Sequence, residues 1–134
     1  MGDERTREIS AAEGNTVLSE FLSRYNACIV ILSGPAKGTE HRLDGEQTTL
    51  GRGPGTDLAF DDQAMSRKHA AVEFGSDGFR LRDLGSTNGT LLNGSKVESS
   101  ALKHGDRFQV GAHLFQFVVE EREQEPATYV ISDD

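Results

Sequence analysis

Four polar, turn-forming pieces of this chain carry the side chains able to do chemistry. They read Gly51-Arg52, Ser66-Arg67-Lys68-His69-Ala70, Asp83-Leu84-Gly85-Ser86-Thr87-Asn88-Gly89-Thr90 and Leu92-Asn93-Gly94. What they share is donation: guanidinium, hydroxyl and amide hydrogens. A guanidinium stays charged at any physiological pH and offers a planar fork to oxyanions. Hydroxyls add neutral donors, and a carboxamide both donates and accepts, which matches a peptide main chain. Such a set suits a phosphate monoester carried on a peptide. No nucleophile stands in a pattern with a paired base, so an enzyme is not expected.

Taken singly, each piece is an ordinary surface arginine, hydroxyl or turn. Their order and spacing carry the signal. Ser66 follows Arg52 by fourteen residues, and Thr87 follows Ser66 by twenty-one. Residues this far apart form one site only if a scaffold brings their loops to one end.

The runs between the loops read as short strands. Cys28–Leu32, Thr39–Leu43, Gln47–Gly51, Leu58–Phe60, His69–Phe74, Phe79–Leu84, Thr90–Leu92, Lys96-Val97, Arg107–Val110 and Leu114–Glu120 are apolar or alternating and are bounded by turn residues. Asn93-Gly94 is a strong hairpin signal, because a type I′ turn needs positive φ at both central positions. About ten or eleven strands with frequent turns predict an all-β sandwich or barrel. Upstream, Val17, Leu18, Phe21, Leu22 and Tyr25 recur at helical spacing, with Asn15 or Thr16 as a cap. A short amphipathic helix over 16–26 follows, packed on its own domain. Residues 1–15 read as a disordered tail and 120–134 as a flexible acidic one.

The net charge of −8 belongs mostly to the ends. Residues 27–118 hold ten basic and eleven acidic side chains, whereas 119–134 hold one basic and six acidic. A near-neutral body with an acidic tail is a poor attractor of nucleic acid. No apolar stretch approaches the ~20 residues of a membrane helix, and the first residues lack a signal-peptide h-region. No membrane partner and a cytoplasmic location are therefore expected. Cys28 is the only cysteine, so no internal disulfide can form, and it reads as a buried strand residue. His41, His69, His104 and His113 lack ligand spacing, so no metal is expected, and no cofactor. Gly51-x-Gly53-x-Gly55 lacks the lysine and helix of a nucleotide loop. Asp61-Asp62 reads as a solvated turn.

With these residues in order, Cys28 to Val119 resembles a forkhead-associated (FHA) domain, a reader of phosphothreonine in peptides. The late run Leu102-x-x-Gly105-Asp106-x-Phe108-x-x-Gly111 and Phe115-x-Phe117 extends the match. The resemblance implies an eleven-stranded β-sandwich over 27–119 with its binding loops at one end. It implies that Arg52, Ser66, Arg67 and Thr87 meet the phosphate and that Asn88 holds the peptide main chain. Gly51 and His69 take supporting roles, close packing and loop bracing. It further implies a non-catalytic adaptor for a Thr-phosphorylated protein, a Ser/Thr kinase or its substrate; apart from the resemblance, a monomer is expected. Ala64 and Met65, before Ser66, suggest a small or apolar preference three residues beyond the phosphothreonine. Two alternatives stay open: a switch in which phosphorylated Thr6, Thr16 or Thr128 occupies its own pocket, and a phospho-independent dimer or scaffold module using residues 16–26.

Overall fold

Alternating apolar residues give the longer strands one face to bury, and two sheets meet over those faces. The computed structural model describes residues 17–122. It holds eleven strands: β1 Tyr25–Ile31, β2 Glu40–Arg42, β3 Gln47–Gly51, β4 Leu58–Ala59, β5 Ala70–Gly75, β6 Gly78–Asp83, β7 Thr90–Leu92, β8 Ser95–Val97, β9 Ser99–Ala101, β10 Arg107–Val110 and β11 His113–Glu121. One sheet has the order β2-β1-β11-β10-β7-β8 and the other β4-β3-β5-β6-β9. Every pairing is antiparallel except β3 with β4.

The core lies between the sheets. Ile29, Ile31, Phe108, Val110, Phe115 and Phe117 from one sheet meet Leu50, Ala70, Val72, Phe79 and Leu81 from the other, all buried. Phe79 and Phe117 touch across the interface with ring centroids 5.3 Å apart. Burial of apolar area at roughly 25 cal/mol per Å² is what holds the two layers together. Asn93 and Gly94 have φ of 49° and 89°, the left-handed pair a type I′ turn needs between β7 and β8.

Several details differ from the sequence pattern. β1 begins at Tyr25, directly after the helix, and pairs with β11 along its whole length. β9 carries no apolar alternation and forms by pairing with β6. In β5, Ala70, Ala71 and Val72 are all buried, so the strand starts with both faces covered. Cys28 is half-buried rather than buried. Its thiol is pushed above the ordinary range by burial, with Glu40 and Glu120 adding to it and Arg42 opposing.

Residues 17–24 are helical. Leu18 is buried, and the Phe21 ring lies 5.0 Å from Tyr25, 5.4 Å from Phe74 and 5.6 Å from Phe79. Arg122 ties the helix end to β11, its Nε donating to the Leu22 carbonyl and its amide to that of Arg24. The helix therefore closes the end of the sandwich that holds the β5–β6 turn. The chain ends at 1–16 and 123–134, with Thr6, Thr16 and Thr128, lie outside the described residues.

Candidate functional site

β3 ends in Gly51, and Arg52 follows where the chain leaves the sheet. Gly51 is buried against the 65–68 backbone. A Cβ there would overlap the Arg67 carbonyl oxygen and lie 2.7 Å from its carbon, so no side chain fits. That closeness lets two segments bond through their main chains. Arg52 N donates to Ser66 O at 3.0 Å, Gly53 N to Arg67 O at 3.2 Å, and His69 N to Leu50 O at 2.9 Å. The Arg52 side chain is exposed, and its Nε donates to Met65 O at 3.0 Å. The head is thereby oriented while its two Nη groups have no partner among the described residues.

The Ser66 segment is braced from two sides. Asp62 is buried, only 7% exposed. Its carboxylate accepts from Ala64 N at 2.9 Å, Ala112 N at 2.8 Å and His113 Nδ1 at 2.8 Å. Burial would raise its pKa, but the bonds from His113, Ala112 and Ala64 outweigh burial and hold it below the usual value. Asp62 is thus not the solvated turn that Asp61-Asp62 suggests; it joins the loop to the β10–β11 turn. Met65 is 1% exposed and belongs to the core, so it cannot face a peptide. On the other side stands His69, wholly buried. Its Nδ1 accepts from Ser66 N at 3.0 Å and its Nε2 lies 2.8 Å from Gly89 O. With Nδ1 accepting, the ring proton sits on Nε2 and donates to Gly89.

The third loop is folded around Asp83. Its carboxylate accepts from the amides of Gly85 and Ser86 and from the hydroxyls of Ser86 and Thr90. Burial again pushes upward, and those bonds bring its pKa below the usual value. Ser86 Oγ in turn accepts from Gly89 N. The loop so shaped reaches Ser66: Thr87 N donates to Ser66 Oγ at 3.0 Å. Asn88 Nδ2 donates to Ala64 O at 2.8 Å.

The three loops that carry Arg52, Ser66, and Thr87 with Asn88 are therefore joined by direct hydrogen bonds at one end of the sandwich. Gly51 and His69 lie beneath them. Ser66 keeps its hydroxyl hydrogen for an outside acceptor, since its oxygen is the acceptor for Thr87. Thr87 is exposed and its hydroxyl has no partner among the described residues. Asn88 is exposed; one hydrogen of its amino group goes to Ala64 O, and its Oδ1 has no partner among the described residues. Arg67 and Lys68 are exposed and carry no ion pair, because the described ion pairs are Arg82–Glu73 and His113–Asp62. The surface is an array of cationic and neutral donors on a fixed backbone, suited to an oxyanion ligand.

Sequence reasoning passed over Asp62, Asp83 and His113. Asp83-x-x-Ser86 has the spacing of a carboxylate that caps a turn and was open to that reading. Nothing local marks Asp62, whose partners at 112 and 113 are fifty residues away. Three of the four histidines do structural work: His69 and His113 as described, and His104 Nδ1 accepting from Val119 N. Among the described residues there is no group that could hold a metal ion and no helix long and apolar enough to cross a membrane.

A family model described as the cytoplasmic domain of the inner membrane component of T3SS (Yop-YscD) matches residues 30–121. An oxoglutarate dehydrogenase inhibitor of Corynebacterium jeikeium is 37% identical over 99 residues, 74% of this chain and 69% of the relative. The glycogen accumulation regulator GarA of Mycolicibacterium smegmatis is 35% identical over 109 residues, 81% of this chain and 69% of the relative. Among solved structures, an FHA domain analysed for phosphothreonine-dependent interactions overlays with a TM-score of 0.63 at 25% identity. That overlay covers 74% of this chain and 99% of the other.

Proposed function

The chain belongs to the forkhead-associated family, and from that premise we propose that it is a non-catalytic phosphothreonine-peptide adaptor in Ser/Thr-kinase signalling. The phosphate sits among Arg52, Ser66, Arg67 and Thr87, and Asn88 takes the peptide main chain through its free carbonyl. One observation carries the reading: the Arg52 side chain is tethered through Nε to the loop that presents Ser66, leaving the rest of its fork free. A phosphothreonine brings about −1.5 to −2 charges and three acceptor oxygens to such a fork. The two relatives, one named an inhibitor and the other a regulator, agree with a protein that acts by binding. A cytoplasmic site of action fits a ligand made by intracellular kinases. Leu18 and Phe21 of the helix pack on their own domain while Val17 stays exposed, and that packing supports action as a monomer.

Fluorescence polarisation with matched phosphothreonine, phosphoserine and unphosphorylated peptide libraries tests this. Binding that requires the phosphate and prefers threonine is the expected result. Equal binding of unphosphorylated peptides overturns it.

A further inference from the structure

Lys96 stands on β8, opposite Leu91 of β7. Its stem runs across the backbone of Gly89. A Cβ built on that glycine would lie 2.7 Å from Lys96 Cε and 3.4 Å from both Cδ and Nζ. Gly89 closes the loop that bears Thr87 and Asn88, and it is fixed from both sides. Its amide donates to Ser86 Oγ and its carbonyl holds the His69 ring. An ammonium is thus laid beside a rigid loop, next to the residues proposed to hold the peptide.

Among the described residues that ammonium has no carboxylate partner. Neither described ion pair includes Lys96, and the loop's one carboxylate, Asp83, is already engaged by Gly85, Ser86 and Thr90. Lys96 is exposed, so a ligand can reach it. The apolar selection suggested by Met65 is unavailable, because Met65 is buried in the core.

We propose that Lys96 is a specificity-determining residue that favours phosphothreonine peptides carrying an aspartate or glutamate near the ester. The proposal rests on the phosphopeptide reading above. An exposed ion pair of this kind contributes little, so the selectivity is modest, about two- to fivefold. It fades as salt screens the pair.

The test is a phosphothreonine peptide set with each flanking position changed in turn to Asp, Ala or Lys, titrated by fluorescence polarisation. Wild-type protein should favour Asp over Ala at one flanking position by about two- to fivefold. Lys96→Met keeps the stem over Gly89 and removes only the charge. It should bind the Ala peptides as wild type does and lose the preference. Lys96→Glu should favour Lys at the same position, a reversal that a purely structural lysine cannot produce. An Asp preference that survives both substitutions, or no Asp preference in wild type, overturns the proposal. If phosphate-dependent binding persists and is lost in Arg52→Ala, such a result removes Lys96 alone. If wild type shows no phosphate dependence, the parent reading fails and this one falls with it.

Discussion

The two ends of the sandwich are built from opposite materials. At the helix end, Phe21, Tyr25, Phe74 and Phe79 pack their rings tilted or edge-on against one another. At the loop end, the backbone itself is held by Asp62, His69, Asp83, Ser66 and Asn88. Apolar contacts are non-directional, so they fix an end without fixing each atom. Hydrogen bonds set distance and angle. The loop end therefore holds donors in defined places for a ligand, while the helix end contributes cohesion. Damage at one end should spare the property that belongs to the other.

The largest expected effect tests the loop end at its base. Gly51→Ala would drive a methyl into the Arg67 carbonyl. The clash is with main chain and cannot be relieved by a rotamer change. Overpacking against backbone at a buried site should cost about 3 kcal/mol or more. Urea unfolding should show it as a lowered midpoint, and any folded fraction should bind phosphopeptide poorly. Wild-type stability with wild-type affinity would mean that the close approach is not needed.

Next in size is Arg52→Ala, which should act on affinity rather than fold. Hydrogen bonds to charged groups contribute about 1.5–3 kcal/mol, so phosphothreonine binding should weaken by roughly ten- to 150-fold. Arg52→Lys should recover little, since a point charge cannot reproduce the fork while keeping the Met65 tether. Unfolding midpoints of both variants should stay close to wild type. A variant that unfolds as easily as it loses ligand would erase the division between the two ends.

How far this division was readable beforehand depends on what kind of contact defines each part. β3, β7 and β10 have the bounds the pattern gave, because turn residues flank short apolar or alternating runs. Asn93-Gly94 was readable because positive φ at two successive positions restricts residue choice. β9 was not, since Ser99-Ser100-Ala101 has no alternation and is a strand only through β6. The grip residues stood out by type and order, whereas their supports did not. Asp62 looked solvated because its burial is created by Ala112 and His113, distant in sequence. Met65 looked like loop because one apolar residue in a polar stretch has no periodicity. Local sequence reports turns and strands; it is silent where a polar group is buried by a remote partner.

Phe21→Ala probes the helix end and is smaller. Phe21 is only half-buried, so the loss should fall below the 3–5 kcal/mol of a fully buried phenylalanine, at about 1–2 kcal/mol. Calorimetry should show a lower Tm, with phosphopeptide affinity unchanged below the transition. An affinity loss as large as that of Arg52→Ala would show the ends to be coupled.

The smallest effect at neutral pH, and the sharpest separation of the ends, comes from acid. Asp62 and Asp83 both have folded pKa values below their ordinary ones, and both hold the loop end. For such groups the unfolded chain binds more protons in the acid range, so stability rises with pH there. Their contribution is complete above the unfolded aspartate value of about 3.9 and is lost as pH falls through the lower folded values. Near the aromatic cluster Glu73 of β5 also has a lowered pKa, but its partners Arg82 and Gln47 are side chains on the exposed sheet surface and not loop amides. Amide protection, taken relative to the intrinsic exchange rate down an acid series, should therefore be lost first at Ala64, Ser66, Ser86 and Thr87, while the amides of β5 and β6 beside Phe74 and Phe79 stay protected. Asp83→Asn should advance that loosening toward neutral pH in the Ser86–Gly89 loop without moving the Phe21 contacts. Simultaneous release of both ends at every pH would mean that they melt as one unit and that their different construction has no consequence for stability.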